Sequence, residues 1–453
     1  MRPDWIDLAA RPAPRYTSYP PATAFTDAVT PCDVAAWAAE LAADAPLSLY
    51  VHIPFCERLC WYCGCHTSVP NGYARIAAYM ADLHREIALW RDHLGPHGGA
   101  GQVHLGGGSP NALSANDLRA LLSGLRSAFN VLPDAEIAVE LDPRSLDGDR
   151  LAALGESGVT RASLGVQTLA PRVQAAINRV QPQAMIEAAV SGLRAVGIAS
   201  VNMDLMYGLP YQTVADLEAA ADFAAGMGAD RICVFGYAHV PWFAKHQKAI
   251  DGSALPGVAE RADQAEVIAA RLQGHGYVAV GFDHFARPED SLARAAASGT
   301  LRRNFQGYTD DPCETLIGLG TSAISSFRQG FAQSAKDVRA WRSALDAGRL
   351  PIVRGISLSE DDRLRGAAIE RLMCRFEVDL GAVCDAFGVP VDTLDAACDA
   401  VAPLAVRGLC RIDGRRLSVP EAARPLVRLV AQCLDAHATP ASAGAVPRHA
   451  KAI

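Results

Sequence analysis

Three observations predict an α/β fold whose parallel sheet closes only part of a barrel. Short β-rich runs recur from Leu49 to Phe282, spaced so that one helix fits between each pair. The stretches between them carry apolar residues at helical spacing, as in Tyr73 to Leu94 and Val214 to Met227. Within the runs the side chains alternate: Ile137, Val139 and Leu141 share one face, and Ala138, Glu140 and Asp142 share the other.

The predicted strands are Leu49 to Ile53, Gln102 to Leu105, Glu136 to Leu141, Arg161 to Val166, Ser200 to Met206, Arg231 to Tyr237 and Tyr277 to Phe282. Helices are expected at Tyr73 to Leu94, Asn116 to Phe129, Met185 to Val196, Val214 to Met227 and Val258 to Leu272. Right-handed crossovers then make a partial barrel of six or seven units, a (β/α)6-type arrangement short of eight. Glu140 and Asp142 on one strand, and Asp204 beside Asn202 on another, oppose apolar neighbours, so these acids point into the lumen near the strand ends, where barrel enzymes keep their chemistry.

Two flanks differ from this pattern. Residues 1–47 hold the aromatic and Pro-rich string Pro14, Arg15, Tyr16, Thr17, Ser18, Tyr19, Pro20 and read as an extension covering the site rather than a domain. The barrel and its own extension take 48–350. Residues 351–453 read as a mainly helical domain, with helices at Ser359 to Cys374 and Val391 to Val406, a hairpin at Asp413-Gly414 and a further helical run from Glu421. That order resembles a winged helix. Thirteen basic and thirteen acidic residues there argue against DNA binding, and hence against an iron-sulfur regulator.

The 453 residues allow two or three domains, and half of them are hydrophobic, which excludes a disordered chain. Forty-two basic and forty-nine acidic side chains give a net charge of -7, so no nucleic-acid partner is expected, and an anionic ligand must be held by locally placed Arg or Lys. No apolar run reaches the ~18 residues of a membrane span, and acids interrupt the N-terminus where a signal peptide needs an apolar core. A soluble cytoplasmic protein is expected.

Of twelve cysteines, four crowd into ten positions as Cys56, Cys60, Cys63 and Cys65. Cys56-x3-Cys60-x2-Cys63 follows the first strand directly. Three thiolates on one loop can hold three irons of a 4Fe-4S cluster and leave the fourth open to a ligand. A structural zinc site is the alternative, but it normally closes with paired clips, and Cys65 stands too near Cys63 to complete a tetrahedron comfortably.

The motif resembles the radical S-adenosylmethionine superfamily, and the longer string YVHIPFCERLCWYCGC, from Tyr50 to Cys65, resembles the oxygen-independent coproporphyrinogen III oxidases. Further matches run in order along the chain: HLGGGSP at 104–110, AVELDPR at 138–144, SLGVQ at 163–167, INRVQ at 177–181, DLMYGLP at 204–210, FDHFARPED at 282–290, RNFQGYT at 303–309 and GLGTSAIS at 318–325. The resemblance implies an oxidoreductase, a coproporphyrinogen dehydrogenase. In such an enzyme a reduced 4Fe-4S cluster on Cys56, Cys60 and Cys63 cleaves S-adenosylmethionine to a 5'-deoxyadenosyl radical. That radical starts the conversion of two propionates of coproporphyrinogen III to vinyl groups, giving protoporphyrinogen IX in haem biosynthesis.

By the same resemblance Cys65 and Tyr50 serve catalysis, and one or two molecules of S-adenosylmethionine are held. Gly107, Gly108, Ser109, Glu140, Gln167, Arg179, Asp204 and Ala238 are implied for the first; Tyr50, Tyr62, Gly107 and Ile324 for the second. Read alone, Arg179 fits an ion pair equally well, and Tyr50, Tyr62 and Ile324 fit a core. Arg15, Tyr16, Tyr19, His284, Arg287, Arg303, Gln306 and Tyr308 are the substrate candidates, with ordinary loop hydrogen bonding as the alternative. Arg448, His449 and Lys451 of the basic tail are expected to cover the opening or to be solvated. Implied partners are a low-potential electron donor such as flavodoxin or ferredoxin and an electron acceptor of unassigned identity, with the protein itself a monomer.

The chain departs from the family at Ser109, where Thr is usual, at His66-Thr67 for Asn-Lys, and at Thr168-Leu169 for Asp-Phe. A haem-binding chaperone and a radical methylase or haem-degrading relative are the rival functions.

Overall fold

The structure is a computed structural model, and it describes residues 2–438 and 451–453. Its strands in chain order are β1 Leu47–Ile53, β2 Ala100–Gly107, β3 Val131–Leu141, β4 Arg161–Gln167, β5 Ser200–Tyr207, β6 Arg231–Gly236, β7 Val278–Val280, β8 His284–Ala286, β9 Arg302–Asn304, β10 Gly307–Thr309, β11 Thr315–Leu319, β12 Ile324–Phe327, β13 Gly330–Ser334, β14 Ile352–Ser357, β15 Glu377–Asp379, β16 Arg411–Asp413 and β17 Arg416–Ser418. The chain divides into two compact units, one of residues 25–204 and 311–357, the other of 1–24, 205–310 and 358–453.

The first unit is organised on β1, in which every residue but Tyr50 is buried, as a strand covered on both faces requires. β1 pairs in parallel with β2 on one side and β11 on the other, and the parallel ladder continues to β3 and β4. Helices Ala74–His93, Ala115–Phe129, Gly148–Glu156 and Gln183–Ala195 fall between or after these strands. Ser114 and Asp147 cap two of them by accepting main-chain N–H groups that would otherwise lack partners. β11 to β14 are absent from the predicted strands; beyond the parallel β1–β11 pair, β12, β13 and β14 follow in turn as antiparallel neighbours.

Glu86 lies wholly buried in this unit and accepts from the Gly320 N–H at 2.7 Å and the Trp341 indole at 3.2 Å. Burial lifts its carboxyl to about 8 against those two donors. The folded protein therefore binds a proton that the unfolded chain releases near its ordinary value, and stability falls as pH rises from about 4.5 toward 8. Glu86→Gln is expected to remove that slope and to stabilise the protein at pH 8 by roughly 2–4 kcal/mol, read by denaturant unfolding at pH 6 and pH 8.

In the second unit the seventh predicted strand needs correction. Tyr277 to Phe282 does not extend a parallel sheet: only Val278–Val280 is strand, and the chain turns back at once so that β8 pairs antiparallel with both β7 and β6. The apolar run there serves a short hairpin, which alternation alone does not distinguish from a crossover strand. Residues 358–453 contribute helices Glu360–Arg375, Leu380–Ala386 and Asp395–Val406 and a three-stranded antiparallel sheet, β15-β17-β16. Asp413 pairs with Arg416, which leaves Gly414-Arg415 as the two-residue turn expected at Asp413-Gly414. Trp5 and Leu8 pack into the same core as Leu372, Val401 and Leu426, so the N-terminal segment is held by apolar burial. No helix among the described residues is long and apolar enough to cross a membrane.

Candidate active site

Cys56, Cys60 and Cys63 sit in an irregular loop just beyond the C-terminal end of β1. The loop is pinned from two sides. Trp61 donates its N–H to the Ile177 carbonyl at 3.0 Å, Asn178 donates to the Leu59 carbonyl at 2.8 Å, and Cys56 N–H bonds the Ser68 carbonyl. Each sulfur has its own polar neighbour. Cys56 Sγ lies 3.1 Å from the Thr67 hydroxyl; Cys60 Sγ accepts from Arg144 Nη2 at 3.2 Å and Arg179 Nη1 at 3.4 Å; Cys63 Sγ accepts from the Cys65 N–H at 3.4 Å. Cys65 is exposed and contributes this main-chain donor.

Asp142 organises the two guanidiniums. It accepts from Arg144 Nη2 at 2.6 Å and from Arg179 Nη1 at 3.4 Å, and although burial pushes its carboxyl up, Arg179 and Arg144 hold it below the usual carboxylate range. Arg179 is 6% exposed, donates through Nη2 to the Gly165 carbonyl at 2.6 Å, and keeps a buried Nε that has no acceptor. Tyr62 is half-buried, with the Arg179 guanidinium among the charges acting on it. Gln167, at the end of β4, is buried in a positive-φ conformation at 64°.

At the end of β2 the backbone is bare. A Cβ on Gly106 would stand 2.7 Å from the Glu140 carboxylate, and one on Gly107, at φ 105°, would stand 2.5 Å from the His52 ring. Glu140 accepts from His104 Nε2 at 3.0 Å and from the Gly107 N–H at 3.2 Å; burial pushes its carboxyl up, and these donors draw it below the ordinary value, so it is ionised at neutral pH. Tyr50 stacks on His104 with centroids 5.9 Å apart and bonds His52 Nδ1 at 3.1 Å. It also pairs in register with Gly318, whose Cα faces the Ile324 backbone. Gly108 N–H bonds the Ile53 carbonyl, and the buried Ser109 hydroxyl turns to Asn111. Asp204 accepts from Ser163 at 3.0 Å and Asn202 at 2.9 Å.

Residues 25–204 and 311–357 thus hold every position implied for the cluster and S-adenosylmethionine except Ala238. That residue follows β6 in the other unit, where its carbonyl accepts from Gln247 at 3.2 Å. The donor set suits both groups. Arg179 Nε is a buried cationic donor with no acceptor in the chain, Glu140 is an anion suited to an amine, and the glycines let Glu140 and His52 close on the β2 backbone. Among the described residues no three His, Cys, Asp or Glu side chains converge as the ligands of one ion do; a cuboidal cluster takes one thiolate per iron at separate corners.

The substrate candidates lie in the second unit, and the structure separates them. Arg15, His284, Arg303 and Gln306 line its cavity of about 1360 Å³. Tyr16, Tyr19, Tyr308 and Arg287 do not line it: Tyr16 donates to Asp435 at 2.9 Å, Tyr19 accepts from the Ala436 N–H, Tyr308 donates to the Met373 carbonyl, and Arg287 donates to the Ala229 carbonyl. Those three hydroxyls hold buried framework, a role that their strings did not distinguish from contact. Lys451 also lines the cavity and bridges to Pro12, whereas Arg448 and His449 lie outside the described residues. Asp142 is expected from the sequence only as a lumen-facing acid, and Arg144, His104 and Thr67 are contacts of the site that the sequence does not single out. Arg144 and Asp142 stand in the matched AVELDPR string and His104 in HLGGGSP, but Thr67 had only its departure from the family to mark it.

The family model described as the radical SAM superfamily matches residues 50–224, and that of the HemN C-terminal domain matches residues 358–426. Fold and cysteine loop together define a radical S-adenosylmethionine protein. The chain is 47% identical to an oxygen-independent coproporphyrinogen III oxidase of Bradyrhizobium diazoefficiens, over 94% of this chain and 95% of that one. It is 38% identical to the one of Pseudomonas aeruginosa, over 93% of each. The solved structure of coproporphyrinogen III oxidase (HemN) from Escherichia coli, described as a radical SAM enzyme, superposes with a TM-score of 0.89 at 36% identity, covering 94% of this chain and 98% of that one. The chain belongs to the oxygen-independent coproporphyrinogen III oxidases.

Proposed function

We infer that this protein decarboxylates two propionate side chains of coproporphyrinogen III oxidatively to vinyl groups, giving protoporphyrinogen IX without oxygen. The observation that carries this reading is the loop Cys56-x3-Cys60-x2-Cys63, three thiols with separate hydrogen-bond neighbours beside an Arg179 donor that lacks an acceptor, in a chain similar to these oxidases over nearly its full length. When bound, the 4Fe-4S cluster and S-adenosylmethionine would supply a carbon-centred radical able to take one hydrogen atom from each propionate, with carbon dioxide as leaving group and one electron per propionate passed to a separate electron acceptor.

The chain's own residues bind and orient. Cys56, Cys60 and Cys63 would hold three irons. Arg179 would hold the methionine carboxylate, Glu140 and the Gly107–Ser109 segment its amine, and Asp204, Gln167 and Ala238 the nucleoside. Tyr50, Tyr62 and Ile324 would line a second S-adenosylmethionine position. Cys65 and Tyr50 act on substrate beside the cluster, and Arg15 and Gln306 meet it in the cavity. Residues 1–47 cover the site, 48–350 form the catalytic barrel, and 351–453 form the helical domain. A flavodoxin or ferredoxin supplies the electron to a cytoplasmic monomer.

The test incubates anaerobically reduced protein with S-adenosylmethionine and coproporphyrinogen III and reads product mass. Loss of the elements of two formic acids is expected. An unchanged tetrapyrrole overturns the reading, and methyl gain or ring opening assigns the chain to another radical chemistry. A haem chaperone would bind haem stoichiometrically and yield no vinyl product.

Arg144 tunes the cluster in this reading, because a cationic donor at a ligating sulfur stabilises the more negative reduced state. Arg144→Met is expected to leave iron content unchanged and to lower the cluster midpoint by tens of millivolts, read by potentiometric titration of its paramagnetic signal. An unchanged midpoint would confine Arg144 to holding Asp142.

A further inference from the structure

The cavity of the second unit is strongly cationic in a protein whose net charge is -7. Seven Lys or Arg residues and three Asp or Glu residues line its 1360 Å³, a volume above the ~300–1,000 Å³ usual for small-molecule sites. Four of these arginines, Arg261, Arg303, Arg424 and Arg428, are drawn in from three separate stretches of chain. Arg428 is 6% exposed and donates only to neutral carbonyls: Ala13 at 3.2 Å, Lys451 at 3.0 Å and Ala452 at 2.5 Å. Arg303 donates to the Tyr16 and Arg15 carbonyls and lies over the rings of Tyr308 and Phe282 at 4.4 and 5.2 Å. Arg424 stands over Phe376 at 4.6 Å, and Arg261 over Tyr207 at 5.5 Å.

Carbonyls and aromatic faces meet these charges, and the carboxylate acting on both Arg303 and Arg428, that of Asp283, is itself bonded to His284. Arg303 Nη1, Arg424 Nε and Arg428 Nε are buried donors with no acceptor at all. A buried, unpaired guanidinium costs free energy unless an anion arrives to accept from it. Burial and the neighbouring Arg15 charge pull Arg428 down to about 10, which leaves it charged at neutral pH. The lining carries four more positive than negative groups, and a tetrapyrrole with four propionates carries four negative charges.

We propose that Arg261, Arg303, Arg424 and Arg428 form a carboxylate-holding subsite that selects a four-carboxylate tetrapyrrole over a two-carboxylate one. This rests on the function proposed above and adds to it the groups that recognise substrate and release product: a ring that has lost two carboxylates leaves two of the cationic partners unmet. Arg428 and Arg303 also tie the N-terminal segment to the framework, whereas Arg261 and Arg424 contribute ring contacts and suit substitution.

The test measures binding of coproporphyrin III, the oxidised four-carboxylate ring, and of deuteroporphyrin IX, with two, by fluorescence. Wild type is expected to prefer coproporphyrin III by at least about tenfold, the weight of one charge-assisted contact. Arg261→Met with Arg424→Met is expected to weaken coproporphyrin III about 10- to 100-fold, with little change for deuteroporphyrin IX. Should the double variant fold poorly by thermal unfolding, Arg261→Gln alone is expected to show a smaller loss of the same selectivity. Unchanged selectivity in the folded variants overturns the subsite. Absence of coproporphyrin III binding by wild type overturns it too, and the wild-type product assay then tells whether the wider reading falls with it.

Discussion

Cys60→Ala is expected to give a folded protein without the broad visible absorption of an iron-sulfur cluster, and product formation below detection. Cys60 Sγ is buried at 6% exposure between two guanidiniums, so its loss removes an iron ligand and also leaves Arg144 and Arg179 without the sulfur they share. Cys56→Ala and Cys63→Ala are expected to do the same. Cys65→Ser retains the main-chain N–H that reaches Cys63, so cluster and iron content should survive while turnover falls. Iron analysis and absorption after anaerobic reconstitution check both outcomes. An active Cys56, Cys60 and Cys63 triple variant would end the assignment, and iron loss in Cys65→Ser would place Cys65 among the ligands.

Arg179→Lys is expected to weaken S-adenosylmethionine binding about 10- to 100-fold, the equivalent of ~1.5–3 kcal/mol for hydrogen bonds to a charged group. Lysine keeps the charge but presents a point donor where a carboxylate can use two parallel N–H groups. The Arg179 Nη2 bond to the Gly165 carbonyl and the contact with Asp142 leave Nε as the donor aimed at nothing within the chain. Perturbation of the reduced cluster's paramagnetic signal by S-adenosylmethionine reads the affinity, and iron content reports whether the cluster has assembled. Unaltered affinity would show that the carboxylate is held elsewhere.

Much of the scaffold was legible in the chain. β1 to β6 fall on six of the predicted runs because buried parallel strands need continuous β-branched and aliphatic residues, and the Asp413-Gly414 turn followed from its dipeptide. Tyr277 to Phe282 misled because a hairpin edge and a crossover strand share the same short apolar pattern. β11 to β14 lie outside the predicted runs because they are short, and the pairing of β11 with β1, which brings all four into the sheet, joins residues some 270 positions apart, a closure that no local window displays. Tyr16, Tyr19 and Tyr308 stood in the matching strings without any sign that their hydroxyls are committed to buried framework.

The order and spacing of residues alone determined the three-thiol loop, its place after the first strand and the family, because those depend on covalent neighbours and on strings read in sequence. Only the tertiary structure decided that Thr67, Arg144, Arg179 and the Cys65 N–H each reach a sulfur, and that four arginines from residues 261–428 line one cavity. Hydrogen-bond partners and cavity walls are set by which faces the packed core brings together, and a charge shows whether it is paired only once its neighbours in space are known.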